Sequence, residues 1–124
     1  MLVFLKETPL KKVLIVDDEA GVREVLEAAL SIIPGIQILT ATNGRDGLVT
    51  ALREKPEVVI SDIDIPEMNG LELAAKLKKA AIPVILVTGG MLRGHEMPEG
   101  VELILYKPFR MKEIQEVVSN LLNS

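Results

Sequence analysis

The chain has 124 residues, 48% of them apolar but only 2% aromatic, so it has room for one compact domain whose core must come from Val, Ile, Leu and Ala. There is no cysteine, which excludes disulfides and thiolate metal sites and fits a reducing compartment. A net charge of −4 with no basic run leaves no footprint for direct nucleic-acid binding. No apolar stretch approaches the roughly 18 residues of a membrane span, so a cytoplasmic protein without a membrane segment is expected.

Met1 to Leu5 is too short for the core of a signal peptide and has no basic residues before it. Residues 1–10 read as an N-terminal extension and 11–124 as the domain. Lys12 to Val16 is a short β-branched run ending at Asp17, the pattern of a buried strand. Glu19 to Ile33 carries Val22, Val25, Leu26, Ala29, Leu30 and Ile33 at helical spacing, and Pro34-Gly35 stops it. Ile36 to Ala41 is the second strand. Asn43 caps a helix running to about Lys55, with Leu48, Ala51 and Leu52 expected on its buried face.

Val58 to Ile60 is the third strand and runs into Ser61-Asp62. Leu71 to Ala80 is a helix with Leu71, Leu73, Ala74 and Leu77 apolar. Pro83 to Val87 and Leu103 to Tyr106 are the fourth and fifth strands, and Met111 to Leu122 is a closing amphipathic helix. Short buried strands alternating with helices predict an α/β domain, an open doubly wound parallel sheet covered on both faces. In such sheets the binding crevice lies at the carboxyl ends of the strands.

That rim would gather Asp17 and Asp18 from the first strand, Asp62 from the third, Thr88 from the fourth and Lys107 from the fifth. A lone Asp or Thr at a strand end is more often a cap or turn residue. Joint placement at four correct ends is what points to chemistry. Three clustered carboxylates repel one another, and a hard divalent cation with oxygen ligands, magnesium or a relative such as manganese, relieves them. A carboxylate can act as nucleophile toward a phosphoryl group, and the rest of that reaction is positioning and charge neutralisation. Lys107 supplies a cation, Thr88 a hydroxyl donor and Gly89 a backbone N–H.

The chain resembles the receiver domains of bacterial two-component signalling, the group that includes the chemotaxis response regulator. The resemblance covers about residues 11 to 122. It rests on Val16-Asp17-Asp18-Glu19, on Asp62 followed by Pro66 and Gly70, on Thr88, and on Lys107-Pro108-Phe109. It implies a flavodoxin-like (βα)5 fold with strand order 2-1-3-4-5. It implies Asp62 as phospho-acceptor, Asp18 as direct magnesium ligand, Asp17 as its water-mediated neighbour, and Asp64 as donor of a backbone carbonyl. Thr88 and Lys107 match the switch hydroxyl and the phosphoryl-contacting lysine. The implied partners are a sensor histidine kinase or histidine phosphotransfer protein and an unspecified downstream partner, with homodimer formation left open. The domain would catalyse its own phosphorylation and slow dephosphorylation, without turning over a small substrate.

Two departures stand out. The family often has an aromatic residue where this chain has Ile104, and the tyrosine is at 106. Gly89, Gly90, Gly94, Pro98 and Gly100 also disfavour a full helix between the fourth and fifth strands, so that helix is expected to be truncated or replaced by a loop. His95 in that segment reads as a solvated loop residue, and Met91 and Met97 as loop anchors on the sheet. Lys76, Lys78 and Lys79 read as a solvated helix end. The rival readings are a phosphatase of the haloacid dehalogenase type, imitated by Asp62-Ile-Asp64 with Thr88 and Lys107, and a non-catalytic pseudo-receiver acting as an interaction module. The first lacks acidic metal ligands in the required order, because Asp17-Asp18 precede the lysine.

Overall fold

The computed structural model describes residues 10–90 and 97–123. Strands β1 (Lys11–Val16), β2 (Ile36–Ala41), β3 (Val58–Asp62), β4 (Val84–Thr88) and β5 (Val101–Tyr106) alternate with helices. These are α1 (Ala20–Leu30), α2 (Gly44–Glu54), α3 (Gly70–Lys78) and α4 (Met111–Leu122). All strand pairs are parallel, and the sheet order is β2-β1-β3-β4-β5, the flavodoxin-like arrangement expected.

The central strands are apolar on both faces because both faces are covered. Val13, Ile15, Val58, Ile60, Ile85 and Val87 pack with Leu26, Leu30, Ile114 and Val118 under α1 and α4. Leu14, Val16, Val59, Val84 and Leu86 pack with Ala51, Leu73, Ala74 and Leu77 under α2 and α3. No helix among the described residues is long and apolar enough to cross a membrane.

Two apolar residues expected on buried faces are exposed: Val25 at 54% and Leu52 at 49%. Each lies about a quarter-turn off the centre of its buried stripe, at 100° per residue. Helix α1 also stops at Leu30, short of Ile33; Ile33 precedes Pro34, whose ring disfavours helical backbone there, and its N–H turns back to the carbonyl of Leu30 (3.0 Å). Asn43 caps α2 as expected, its side chain accepting from the N–H of Asp46 (2.7 Å). Asn69 does the same for Glu72 at the start of α3 (2.9 Å), a cap the spacing had not indicated.

The expectation of a truncated helix between β4 and β5 falls largely on residues 91–96, outside the described residues. The described flanks, 89–90 and 97–100, are not helical. Met91 and His95 fall in the undescribed part. Met97, expected to anchor on the sheet, is instead 50% exposed, while Lys76, Lys78 and Lys79 are exposed as expected.

Two features of this frame set the rim. The β4–β5 register shifts between Val84 and Ile85, and beyond the shift Thr88 stands opposite Tyr106. Lys107 therefore follows directly, its N–H bonded to the carbonyl of Thr88 (2.8 Å). The loop after β3 is gripped from two sides. The N–H of Gly70 donates to Ile63 (2.9 Å) and that of Gly44 to Pro66 (3.0 Å). A methyl on Gly70 would run into the backbone carbonyl of Asp62, and one on Gly44 into the backbone of Met68. Only glycine permits so close an approach.

Candidate functional site

Asp62 ends β3, and the amine of Lys107 reaches one of its carboxylate oxygens, with Nζ 3.3 Å from Oδ2. The Lys107 side chain is 33% exposed and that of Asp62 12%, so the pair sits in a shallow, partly dry cleft. The other oxygen, Oδ1, accepts the N–H of Asp64 (3.3 Å). The hydroxyl of Ser61 donates to the carbonyl of Asp62 (2.8 Å), tying down that residue's own backbone. The peptide bond between Lys107 and Pro108 is cis.

Asp17 extends β1 beside these groups. Val16 is in register with Ser61, so the next residues of the two strands, Asp17 and Asp62, lie level. Asp17 is 2% exposed. Its N–H donates to Ala41 (3.1 Å), and its Oδ1 accepts the N–H of Glu19 (2.9 Å). Burial pushes the Asp17 carboxyl above the ordinary aspartate range. The Glu19 N–H pulls it back, the negative charge of Asp62 pushes it up further, Lys107 lowers it and Asp18 raises it. The carboxylates of Asp17, Asp18 and Asp62 thus share one electrostatic neighbourhood with Lys107. Asp18 is exposed, and among the described residues its side chain makes no hydrogen bond.

Thr88, at the end of β4, is 4% exposed, and its Oγ1 accepts the N–H of Gly90 (3.1 Å), which leaves the hydroxyl proton free to be donated. The N–H of Gly89 has no hydrogen-bond partner among the described residues, and the space beside its Cα is open. Ile104 is half-buried against the core beneath α2 and α3, while Tyr106 is 48% exposed.

These donors suit a hard cation. The set is all oxygen, and a buried carboxylate is held against like charges that a cation would neutralise. Among the described residues no three acidic side chains form a ready-made cage.

A stability prediction follows for Asp17. Its folded-state value is raised, so what it contributes to stability is present below its unfolded value and is lost as pH rises through the folded one. At neutral pH its charge therefore opposes folding. In chelator-treated buffer, Asp17→Asn should melt at a higher temperature than the parent at pH 7. The gap should close as pH falls through the raised value. An unchanged or lower melting temperature for the variant at pH 7 would contradict the burial argument.

Sequence reasoning identified the strand-end residues but missed Arg23. Its Nη1 donates to the backbone carbonyl of Asp17 (2.8 Å) from one turn into α1. The only signal in the sequence was a basic residue on the first turns of an otherwise acidic helix.

A family model described as "Response regulator receiver domain" matches residues 13–119. The chain is 33% identical over 122 residues to the "Probable transcriptional regulator ycf27" of Porphyra purpurea, which covers 94% of this chain and 49% of that protein. It spans about half the length of the curated relatives it matches. Among solved structures, the response regulator receiver domain protein of Clostridium thermocellum superposes with a TM-score of 0.79 at 28% identity, covering 92% of this chain and 95% of that one. The chemotaxis response regulator CheY4 of Vibrio cholerae gives 0.75 at 26%, covering 90% and 98%.

Proposed function

Because the chain belongs to the response regulator receiver domain family of two-component signalling, we propose that it accepts a phosphoryl group on Asp62 from a phosphohistidine, on a sensor histidine kinase or a histidine phosphotransfer protein. The dehalogenase-type reading gives way to this family membership. The observation that carries the proposal is the ion pair between Asp62 and Lys107, 45 positions apart, with the buried carboxylate of Asp17 alongside.

An oxygen of Asp62 bonds to phosphorus as the bond from phosphorus to the imidazole nitrogen breaks, and that nitrogen keeps the electron pair. A magnesium or manganese ion held by Asp17, Asp18, Asp62 and the backbone carbonyl of Asp64 would neutralise charge on the phosphoryl oxygens. Lys107, already at the acceptor, moves its cation onto one of those oxygens. Thr88 offers its hydroxyl proton and Gly89 its backbone N–H to others. Water later attacks phosphorus and restores the carboxylate of Asp62. The domain, read as residues 11–124, would do this in the cytoplasm and pass the signal to a downstream partner.

The test is uptake of label from radioactive acetyl phosphate. One phosphoryl group per chain is expected, dependent on magnesium, abolished by chelation and cleaved by hydroxylamine as an acyl phosphate. Beryllofluoride should bind only with the metal present. No uptake by folded protein under these conditions would instead favour the non-catalytic interaction module.

A further inference from the structure

We infer that Arg23 is a positioning residue for the divalent cation: it clamps the peptide plane between Asp17 and Asp18 and so aims the Asp18 carboxylate. The inference rests on the phosphoryl-site reading above and adds a residue to it.

The peptide carbonyl of Asp17 and the N–H of Asp18 belong to one rigid plane. The orientation of that plane sets the direction in which the Asp18 side chain leaves the backbone. The plane lies one residue beyond the end of β1, and among the described residues the neighbouring strands bond the Asp17 N–H but not its carbonyl. Among the described residues the Asp17 carbonyl has one hydrogen-bond partner, the guanidinium of Arg23 at 2.8 Å. The bond is partly buried and charge-assisted, the stronger class of hydrogen bond.

Asp18 needs such an indirect hold. It is exposed, and neither its backbone nor its side chain makes a hydrogen bond among the described residues. Asp17 is different. It is buried and fixed at its N–H by Ala41 and at its carboxylate by Glu19. Of the two neighbouring carboxylates, one is therefore held by its own contacts, and the other takes its aim from the backbone that Arg23 fixes. Arg23 itself is anchored in α1, its N–H bonded to Glu19 (3.1 Å). The guanidinium also forms no ion pair among the described residues, so its described polar contact is with this carbonyl.

The experiment titrates magnesium into the whole chain by calorimetry, with no phosphoryl donor present, for the parent and two variants. Arg23→Met keeps the aliphatic stem and loses the donors. Arg23→Lys keeps a charged donor. Arg23→Met should raise half-saturating magnesium about tenfold, the scale on which groups behind a metal's direct ligands act. Arg23→Lys should restore most of the affinity. With acetyl phosphate, Arg23→Met should need about tenfold more magnesium while its rate at saturating metal stays near the parent's, a split that a mere loss of stability would not produce.

In an Asp18→Asn background, Arg23→Met should add little further loss, because the group it aims has lost its charge. If Arg23→Met does not fold, Arg23→Gln, whose shorter side chain falls short of the carbonyl, replaces it with the same expected shift. Parent-like affinity in the folded Met or Gln variant overturns the inference and leaves the site reading intact. Failure of the parent to bind magnesium at all overturns the site reading, and the inference with it.

Discussion

Asp62→Asn should take up no phosphoryl group, with labelling from acetyl phosphate falling at least about a thousandfold, into background. A carboxylate oxygen carries the electron pair that attacks phosphorus, and an amide oxygen is a far weaker nucleophile whose adduct would be unstable. The substitution is nearly isosteric. The amide keeps one acceptor oxygen, so it can hold the N–H of Asp64 or the amine of Lys107 but not both, because these bond different oxygens of the parent carboxylate. Circular dichroism and melting should confirm an intact fold, which makes the loss chemical. Removing one charge from the carboxylate cluster should also weaken magnesium binding. Labelling of the variant at the parental rate would move the acceptor to another carboxylate of the rim, with Asp17, Asp18 and Asp64 the candidates.

Lys107→Ala should slow phosphoryl uptake roughly a hundred- to a thousandfold, the scale of losing one preorganised group at a developing charge, about 3–4 kcal/mol. The incoming group brings about two negative charges to a cleft that already holds several carboxylates. Without the amine, the proposed metal and the donors at Thr88 and Gly89 would be left to oppose them. The same substitution should leave magnesium affinity intact or improve it, because a cation that competes for the carboxylates has gone. The ion pair sits in a partly exposed setting, where such pairs contribute little to stability, so the melting temperature should barely move. Parental kinetics in the variant would remove Lys107 from the reaction.

Much of this was legible from residues alone, for a physical reason. Buried parallel strands read as continuous apolar runs, so the first polar residue after each run marks a strand end, and in this sheet class strand ends are where ligands bind. Asp17, Asp62, Thr88 and Lys107 were found that way. The caps were half-legible: Asn43 was read and Asn69 was not, since the helix was expected from its first apolar residue, Leu71.

What escaped was set by the third dimension. Val25 and Leu52 are apolar and near the stripe, and only the width of the contact with the sheet decides that they face water. The register shift at the start of β5 brings Lys107 beside Thr88 and leaves no mark in composition. Arg23 bonds a carbonyl six positions back through a long side chain, a reach no periodicity encodes. Gly70 was noticed through resemblance, but its reason, contact with the backbone of Asp62, is visible only in the packed molecule.

That contact makes the rim mechanically lopsided. On the β3 side, Gly70 at the start of α3 leaves no clearance from the backbone of Asp62, and Gly44 at the start of α2 leaves none from the backbone of Met68 in the loop that follows. On the β4 side, among the described residues, no atom lies within 4 Å of where a side chain on Gly89 would begin. If Asp62 takes a phosphoryl group as proposed, any displacement of its backbone would have to carry the start of α3 with it.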